Sequence, residues 1–476
     1  MERILLTRME DWLQTVVGRY QAGFRRGRRI AEHIMAIKVL AQQGRAGDVK
    51  TFACFIDLQA AYDLVPRDLL FRVLTAYGLP STIVEIIRSV YHAAEFCVRV
   101  GVGSASAKSD TFRSERGLLQ GSVLSPVLFN VFLQAIIDEV HRRLELAGIT
   151  GGVTRVRHDS GELQWPPAGN RKGDILVRWL AYADDICILA ESKTQLAAVL
   201  NIFNDVLTEY GMVLSAEKSF WMTLGHSVDI SDRDAIQLSC GPVKYTESFK
   251  YLGVTLTTEL TDTSDIDAKL SRGRGTFKSL SKIFRSTALT VKLRVKLFQT
   301  LIVPLVLHGS ECWTLSRVVC DKLNVFQLRC LCTILGVKWQ DHVSNETVRS
   351  RCSVPMSLAQ LVRLRRLGWA GHVLRHDELI VHEIVFSRVD SKRRGRHRTL
   401  VADIADDINH VCSFANHDTS LPQNTKEFND ACSSFVAQAG DLGCFKCSNC
   451  AKPYISESWY RKHLSKCPKP TGAIMG

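Results

Sequence analysis

Two short segments hold carboxylates in surroundings that acidic side chains otherwise avoid. Phe55-Ile56-Asp57-Leu58-Gln59-Ala60-Ala61-Tyr62-Asp63 and Ala181-Tyr182-Ala183-Asp184-Asp185-Ile186 each set an aspartate at the end or bend of an apolar run. An ionised carboxylate is expensive to hold against an apolar core without a partner, and a divalent cation is an efficient one. Residues 174–180 and 186–190 are rich in β-branched and aromatic side chains, so the second segment predicts a hairpin with its acidic pair at the turn. If the strand predicted over 51–58 neighbours that hairpin, Asp57, Asp184 and Asp185 meet. Three such carboxylates are a ligand set for two Mg²⁺ ions about 4 Å apart, one activating an attacking 3′-hydroxyl and one holding a triphosphate leaving group. An Asp-Asp pair standing alone at a turn is more often ordinary turn chemistry. Its neighbours decide the reading.

Between the two segments runs Gly117-Leu118-Leu119-Gln120-Gly121-Ser122-Val123-Leu124-Ser125-Pro126-Val127-Leu128-Phe129-Asn130. This is a glycine-bearing loop that enters an apolar helix, with Ser125 suited to the N-cap and Pro126 to the first helical position. Gly121 lets backbone approach a nucleotide, and Gln120 is free to hydrogen-bond it.

In order and spacing these segments resemble motifs A, B and C of a reverse transcriptase, in particular that of non-long-terminal-repeat (LINE-like) retrotransposons. Gly211-Met212-Val213-Leu214-Ser215-Ala216-Glu217-Lys218-Ser219 resembles motif D, and Phe249-Lys250-Tyr251-Leu252-Gly253-Val254 resembles the strand that closes the palm. Leu307-His308-Gly309-Ser310-Glu311-Cys312-Trp313 is similar to the thumb of those elements, and Leu367-Gly368-Trp369-Ala370-Gly371-His372-Val373-Leu374-Arg375 to their post-thumb region. The likeness covers roughly residues 15 to 400. It implies that Asp57, Asp184 and Asp185 hold the two catalytic Mg²⁺ ions, and that Tyr62 blocks a ribose 2′-hydroxyl and so selects deoxynucleotides. It also implies that Gln120 and Gly121 line the nucleotide pocket and that Lys218 is the candidate for pyrophosphate protonation. Asp63 reads as structural. The implied partners are an RNA template, a DNA primer and a dNTP, and the retroelement lifestyle implies a nuclear location.

Gln21-Ala22-Gly23-Phe24-Arg25-Arg26-Gly27-Arg28 resembles a segment that in this family follows the first fingers strands, and only about twenty residues precede it. No upstream endonuclease domain is seen either. The expectation is an amino-terminally truncated copy, or an incomplete gene model, of a larger polyprotein. The main reading is RNA-directed DNA polymerase. The alternative is a relic that binds RNA or DNA without polymerising, and a viral RNA-dependent RNA polymerase is disfavoured by Tyr62.

Lys and Arg number 61 against 48 Asp and Glu, a net charge of +13 that points to a polyanionic partner. The local pattern is sharper. Arg363, Arg365, Arg366, Arg375, Lys392, Arg393, Arg394, Arg396 and Arg398 cluster with Trp369, His372 and His397, a pattern suited to phosphate contacts and stacking. Arg365, Arg366, Arg393, Arg394 and Arg396 are the foremost nucleic-acid candidates. No signal peptide and no apolar run near about 18 residues is present, so no membrane is expected. The 15 cysteines, scattered through apolar segments, are expected to be mostly reduced and buried.

The last cluster is different: Cys447-x2-Cys450-x12-His463-x3-Cys467 has the spacing of a ββα zinc finger with Cys in the final place. Tyr454 and Tyr460 supply its small core, and a unit this short needs a structural Zn²⁺ to fold. Cys444 overlaps as an additional C-x2-C. The expected architecture is α+β, a right-hand polymerase with a small ββα zinc finger. Its parts are a remnant of fingers (1–50), the palm (51–260), a helical thumb (261–345), a basic post-thumb region (346–415), a linker (416–443) and a C2HC finger (444–470).

Overall fold

The structure, a computed structural model, describes residues 1–101, 107–155, 175–386, 400, 404, 407–408, 411–412, 425–439, 445–446 and 453–454. Arg393, Arg394, Arg396 and the zinc candidates Cys444, Cys447, Cys450, His463 and Cys467 lie outside the described residues. Two compact units divide at Leu252 and Gly253.

The first unit opens with helices α1 (Glu2–Val16) and α2 (Ile30–Gly47) and then β1 (Thr51–Ile56), whose six residues are all buried. Helices α3 (Arg67–Ala76), α4 (Ser81–His92) and α5 (Ser125–Leu146) follow. The acidic hairpin is β2 (Trp179–Tyr182) and β3 (Asp185–Ala190), after which come α6 (Lys193–Glu209), β4 (Phe220–Leu224), β5 (Ile236–Leu238) and β6 (Gly241–Tyr245). The strands form one sheet in the order β2-β3-β1-β4-β6-β5, antiparallel throughout except for β4 with β6. A strand buried on both faces reads as a continuous apolar run, which is why β1 shows no alternation. Phe71, Phe129, Phe132, Phe203 and Trp221, each at most 1% exposed, anchor the core around this sheet.

Three expected strands are shorter than their composition predicts. The run 174–180 breaks at Arg178: Ile175–Val177 pairs with Val153–Arg155, while Trp179 onward pairs with β3. Arg178 Nε donates to the Thr150 carbonyl at 2.8 Å, while its own carbonyl accepts from Leu189 N–H at 2.7 Å. The strand expected to close the palm ends at Tyr251, because Leu252 (φ 48°) and Gly253 (φ 77°) turn left-handed. A Cβ at Gly253 would stand 2.7 Å from His308 Nε2, so glycine is required there. Of the apolar run beginning at Phe96, whose composition predicts a strand, Arg99–Val100 is the regular part among the described residues, and Phe96 bridges to Phe112. The N-cap of α5 is Leu124, and the Ser125 hydroxyl donates instead to the Leu119 carbonyl at 2.7 Å.

The second unit is helical, with α7 (Thr263–Ser279), α8 (Arg317–Leu335), α9 (Leu358–Arg375) and α10 (Thr425–Ala439) as its long elements. A buried polar knot ties its start together. Lys269 Nζ donates to Asp265 Oδ2 at 2.7 Å and to the His308 carbonyl at 2.6 Å, and Trp313 Nε1 donates to the same Asp265 oxygen at 2.8 Å. Farther on, α10 packs on α9 where Gly371 leaves room for Phe428. Phe445–Lys446 and Pro453–Tyr454 pair antiparallel. No described helix is long and apolar enough to cross a membrane. The described cysteines are free thiols, most of them buried.

Candidate active site

Strand register brings the acidic residues together. Ile56 lies opposite Ile186, so the next position along β1, Asp57, falls opposite Asp185. Tyr182 pairs with Asp185, which leaves Ala183 and Asp184 as a two-residue turn. Such tight hairpins need a positive φ, and Ala183 supplies it at 56°. The backbone of Asp57 is fixed from the other side by the loop after α6. Its N–H donates to Ser219 Oγ at 3.1 Å, and its carbonyl accepts from Ser215 N–H at 2.9 Å.

Partial burial, and then the Asp57 charge, raise the Asp184 carboxyl above its ordinary value. Burial, followed by the charges of Asp184 and Asp57, pushes Asp185 up to about 6. Lys218 Nζ stands 4.0 Å from Asp57 Oδ2 and is largely exposed. No three His, Cys, Asp or Glu side chains among the described residues are drawn around a common point. Hard carboxylate oxygens that repel one another on adjacent strand positions suit an oxygen-seeking divalent ion such as Mg²⁺.

The Gln120-Gly121 loop is zipped to the loop that carries Tyr62. Leu118 N–H donates to the Tyr62 carbonyl at 2.8 Å and Gly117 N–H to the Val65 carbonyl at 2.9 Å. A Cβ at Gly117 would meet the Asp63 carbonyl oxygen at 2.8 Å. Tyr62 stacks on Phe129 with ring centroids 4.8 Å apart, and burial and the Asp184 charge push its phenol up to about 12. Gln120 Nε2 donates to Asp63 Oδ1 at 3.2 Å, and Gly121 is exposed with φ 88°.

A family model described as reverse transcriptase (RNA-dependent DNA polymerase) matches residues 1–256. This chain belongs to the reverse transcriptase family. It is 23% identical over 355 residues to the RNA-directed DNA polymerase from mobile element jockey of Drosophila funebris, covering 71% of this chain and 34% of that protein. Against the probable RNA-directed DNA polymerase from transposon BS of Drosophila melanogaster, identity is 23% over 84% of this chain and 42% of the relative. The Pol polyprotein of the type-2 retrotransposable element R2DM, from the same fly, is 23% identical over 46% of this chain and 20% of its own length. The chain is thus homologous to non-long-terminal-repeat reverse transcriptases and spans about a third of the jockey protein's length. A solved telomerase from Candida tropicalis, in complex with a fragment of telomeric RNA, aligns over 91% of this chain and 56% of its own with a TM-score of 0.39 and 12% identity.

Elsewhere in the chain the structure corrects the expected basic cluster. Arg366 is 3% exposed, and its Nη2 donates to Asp407, while Arg363 Nε donates to the same carboxylate at 3.0 Å. Burial takes Arg366 out of reach of a phosphate. Arg365 is half-buried and donates to the Leu307 carbonyl at 2.7 Å. Trp369 and His372, expected as stacking groups, are buried too. Among the residues that sequence reasoning missed is Arg67, buried under the nucleotide loop, where it donates to the carbonyls of Gly117 (2.9 Å) and Ser114. Its partners lie some fifty positions away, so no local pattern could reveal it. Gln21 and Gly23 carried a resemblance but no role, yet both lie against the acidic turn.

Proposed function

We propose that the chain performs RNA-templated DNA synthesis as the polymerase module of a non-long-terminal-repeat retrotransposon. The observation that carries this reading is the register that sets Asp57 opposite Asp185, with Asp184 in the adjoining turn, inside a reverse transcriptase domain. A primer 3′-oxygen attacks the α-phosphorus of a dNTP in line, the bond to the bridging oxygen breaks, and pyrophosphate leaves. Two Mg²⁺ ions held by Asp57, Asp184 and Asp185 would supply the electrostatic stabilisation of that displacement. Tyr62, braced by Phe129, excludes the 2′-hydroxyl of a ribonucleotide. Gln120, oriented by Asp63, and the exposed backbone at Gly121 receive the incoming nucleotide. Lys218, beside Asp57, is placed to give a proton to the departing pyrophosphate.

RNA template, DNA primer and dNTP are the partners of this reading, and the nucleus is its location. Arg393, Arg394 and Arg396 contact phosphates, and Arg365 adds its exposed part. A C2HC finger of Cys447, Cys450, His463 and Cys467 holds one structural Zn²⁺. The antiparallel pair 445–446 and 453–454, which brackets the first two of these cysteines, supports it.

The test is primer extension on an RNA template with Mg²⁺ and then Mn²⁺, beside an Asp184→Asn control. Extension that vanishes in the control is the expected result. No extension, with salt-sensitive RNA binding retained, would replace this reading with nucleic-acid binding alone.

A further inference from the structure

The acidic turn rests on a residue held in an uncommon conformation. Ala183 has a φ of 56°, which a residue with a Cβ adopts only under constraint. The constraint comes from outside the hairpin. Gln21, 2% exposed, accepts through Oε1 from the Ala183 N–H at 2.8 Å and donates through Nε2 to the Ala183 carbonyl at 3.3 Å. One amide thus reads both polar groups of a single residue. The same Oε1 accepts from Gly23 N–H at 2.8 Å, which fixes the side chain as a fork.

Main chain around Gln21 continues the grip. Ala181 N–H donates to the Tyr20 carbonyl and Ala22 N–H to the Ala181 carbonyl, each at 2.9 Å, so the strap runs along the outer edge of β2. Gly23 then lies flat on the turn, and a Cβ there would stand 2.3 Å from the Ala183 nitrogen. Asn130, buried on α5, donates through Nδ2 to the Gly23 carbonyl at 2.7 Å. α5 is the helix that the Gln120-Gly121 loop enters, so one strap ties the nucleotide loop's helix to the carboxylate turn.

We propose that Gln21 is a positioning residue for synthesis: it holds Ala183 left-handed and so fixes the directions in which Asp184 and Asp185 leave the turn. It touches neither substrate nor metal, and the proposal rests on the polymerase reading of those carboxylates. Asp184 stands on the turn itself and Asp185 at its exit, so the backbone of Ala183 sets where both carboxylates begin. The fork from Gln21 acts through the backbone between Tyr182 and Asp184.

Gln21→Met keeps the length and apolar packing of the side chain and removes both hydrogen bonds to Ala183. With the fold retained by thermal melting, we expect kcat for primer extension to fall about 10²-fold while KM for dNTP changes little, because misaimed groups cost rate before binding. Mn²⁺ affinity of the purified chain, read by electron paramagnetic resonance without substrate, should weaken about tenfold, as expected for loss of a group that orients ligands. Gln21→Glu, which retains an acceptor for the two N–H groups, should recover part of both losses. Wild-type kcat or wild-type Mn²⁺ affinity in Gln21→Met overturns the assignment. Should Gln21→Met fail to fold, Gly23→Ala presses on the Ala183 nitrogen with every Gln21 atom in place. The same two losses are expected there, and wild-type values overturn the proposal. If the wild-type chain itself extends no primer, the polymerase reading fails, and the Mn²⁺ comparison alone still decides the clamp.

Discussion

In the first unit Asp57 and Asp185 stand at neighbouring strand ends with Asp184 in the adjoining turn and the exposed Lys218 4.0 Å from Asp57, whereas in the second a single aspartate, Asp407, is buried between two guanidinium groups. The physical outcomes are opposite. Burial and mutual repulsion lift the Asp184 and Asp185 carboxyls above the ordinary range. Burial acts on Asp407 in the same direction, but the charges and hydrogen bonds of Arg363 and Arg366 overcome it and hold the group below that range. Where charge is left uncompensated at the strand ends, the proposed reading gives it a cation to bind. Where it is compensated inside, the charges have become part of the architecture.

The most severe way to probe this contrast is Asp184→Asn. It should lower RNA-templated synthesis by at least about 10³-fold, a loss typical of removing a charge that acts in the transition state, while RNA affinity holds or improves. Comparable synthesis in the variant would break the comparison. On the other side, Asp407→Ala leaves two buried guanidinium groups without a counter-charge and should cost about 3–5 kcal/mol of stability by denaturant melts. A negligible loss would make Asp407 a bystander. Tyr62→Ala should relax sugar discrimination by about 10²-fold, scored by ribonucleotide incorporation, because the ring proposed to block the 2′-hydroxyl is gone.

The gentlest probe is pH. A carboxyl raised in the folded state makes the metal-free chain relatively more stable below its ordinary value, and that contribution disappears as pH rises through about 6 for Asp185. Asp407 runs the other way: its stabilisation is present above the ordinary carboxylate range and is lost as pH falls through its depressed value. Between pH 5 and 7 without metal, wild-type stability should therefore decline relative to Asp185→Asn. A flat difference would contradict the crowding at the turn.

Local pattern made much of this legible. The apolar run of β1, the paired runs about Asp184 and the helix after Ser192 each sit within one element, where side-chain type and periodicity are decisive. Breaks imposed from afar could not be read in that way. Arg178, where the predicted run divides between two partner strands, sends its side chain to a carbonyl 28 residues away, and the turn at Gly253 answers to His308. The arginine-rich run after the thumb misled for a related reason. A charge in sequence does not say what it faces, and Arg366 faces an aspartate 41 positions on. Gln21 looked like part of a motif because its partner is a backbone, which leaves no mark of its own on the sequence.

β1 is hydrogen-bonded on both flanks, while β2 is a sheet edge covered at Ala181 by the short strap alone. Amide hydrogens of β1 can exchange with solvent only when its neighbouring strands part, but those on the outer edge of β2 can exchange when the strap lifts. The two sides of the carboxylate set therefore belong to different layers of cooperative opening. Asp57 and Asp185 are mounted on interior strands that open late, and Asp184 on the turn whose β2 arm can loosen first.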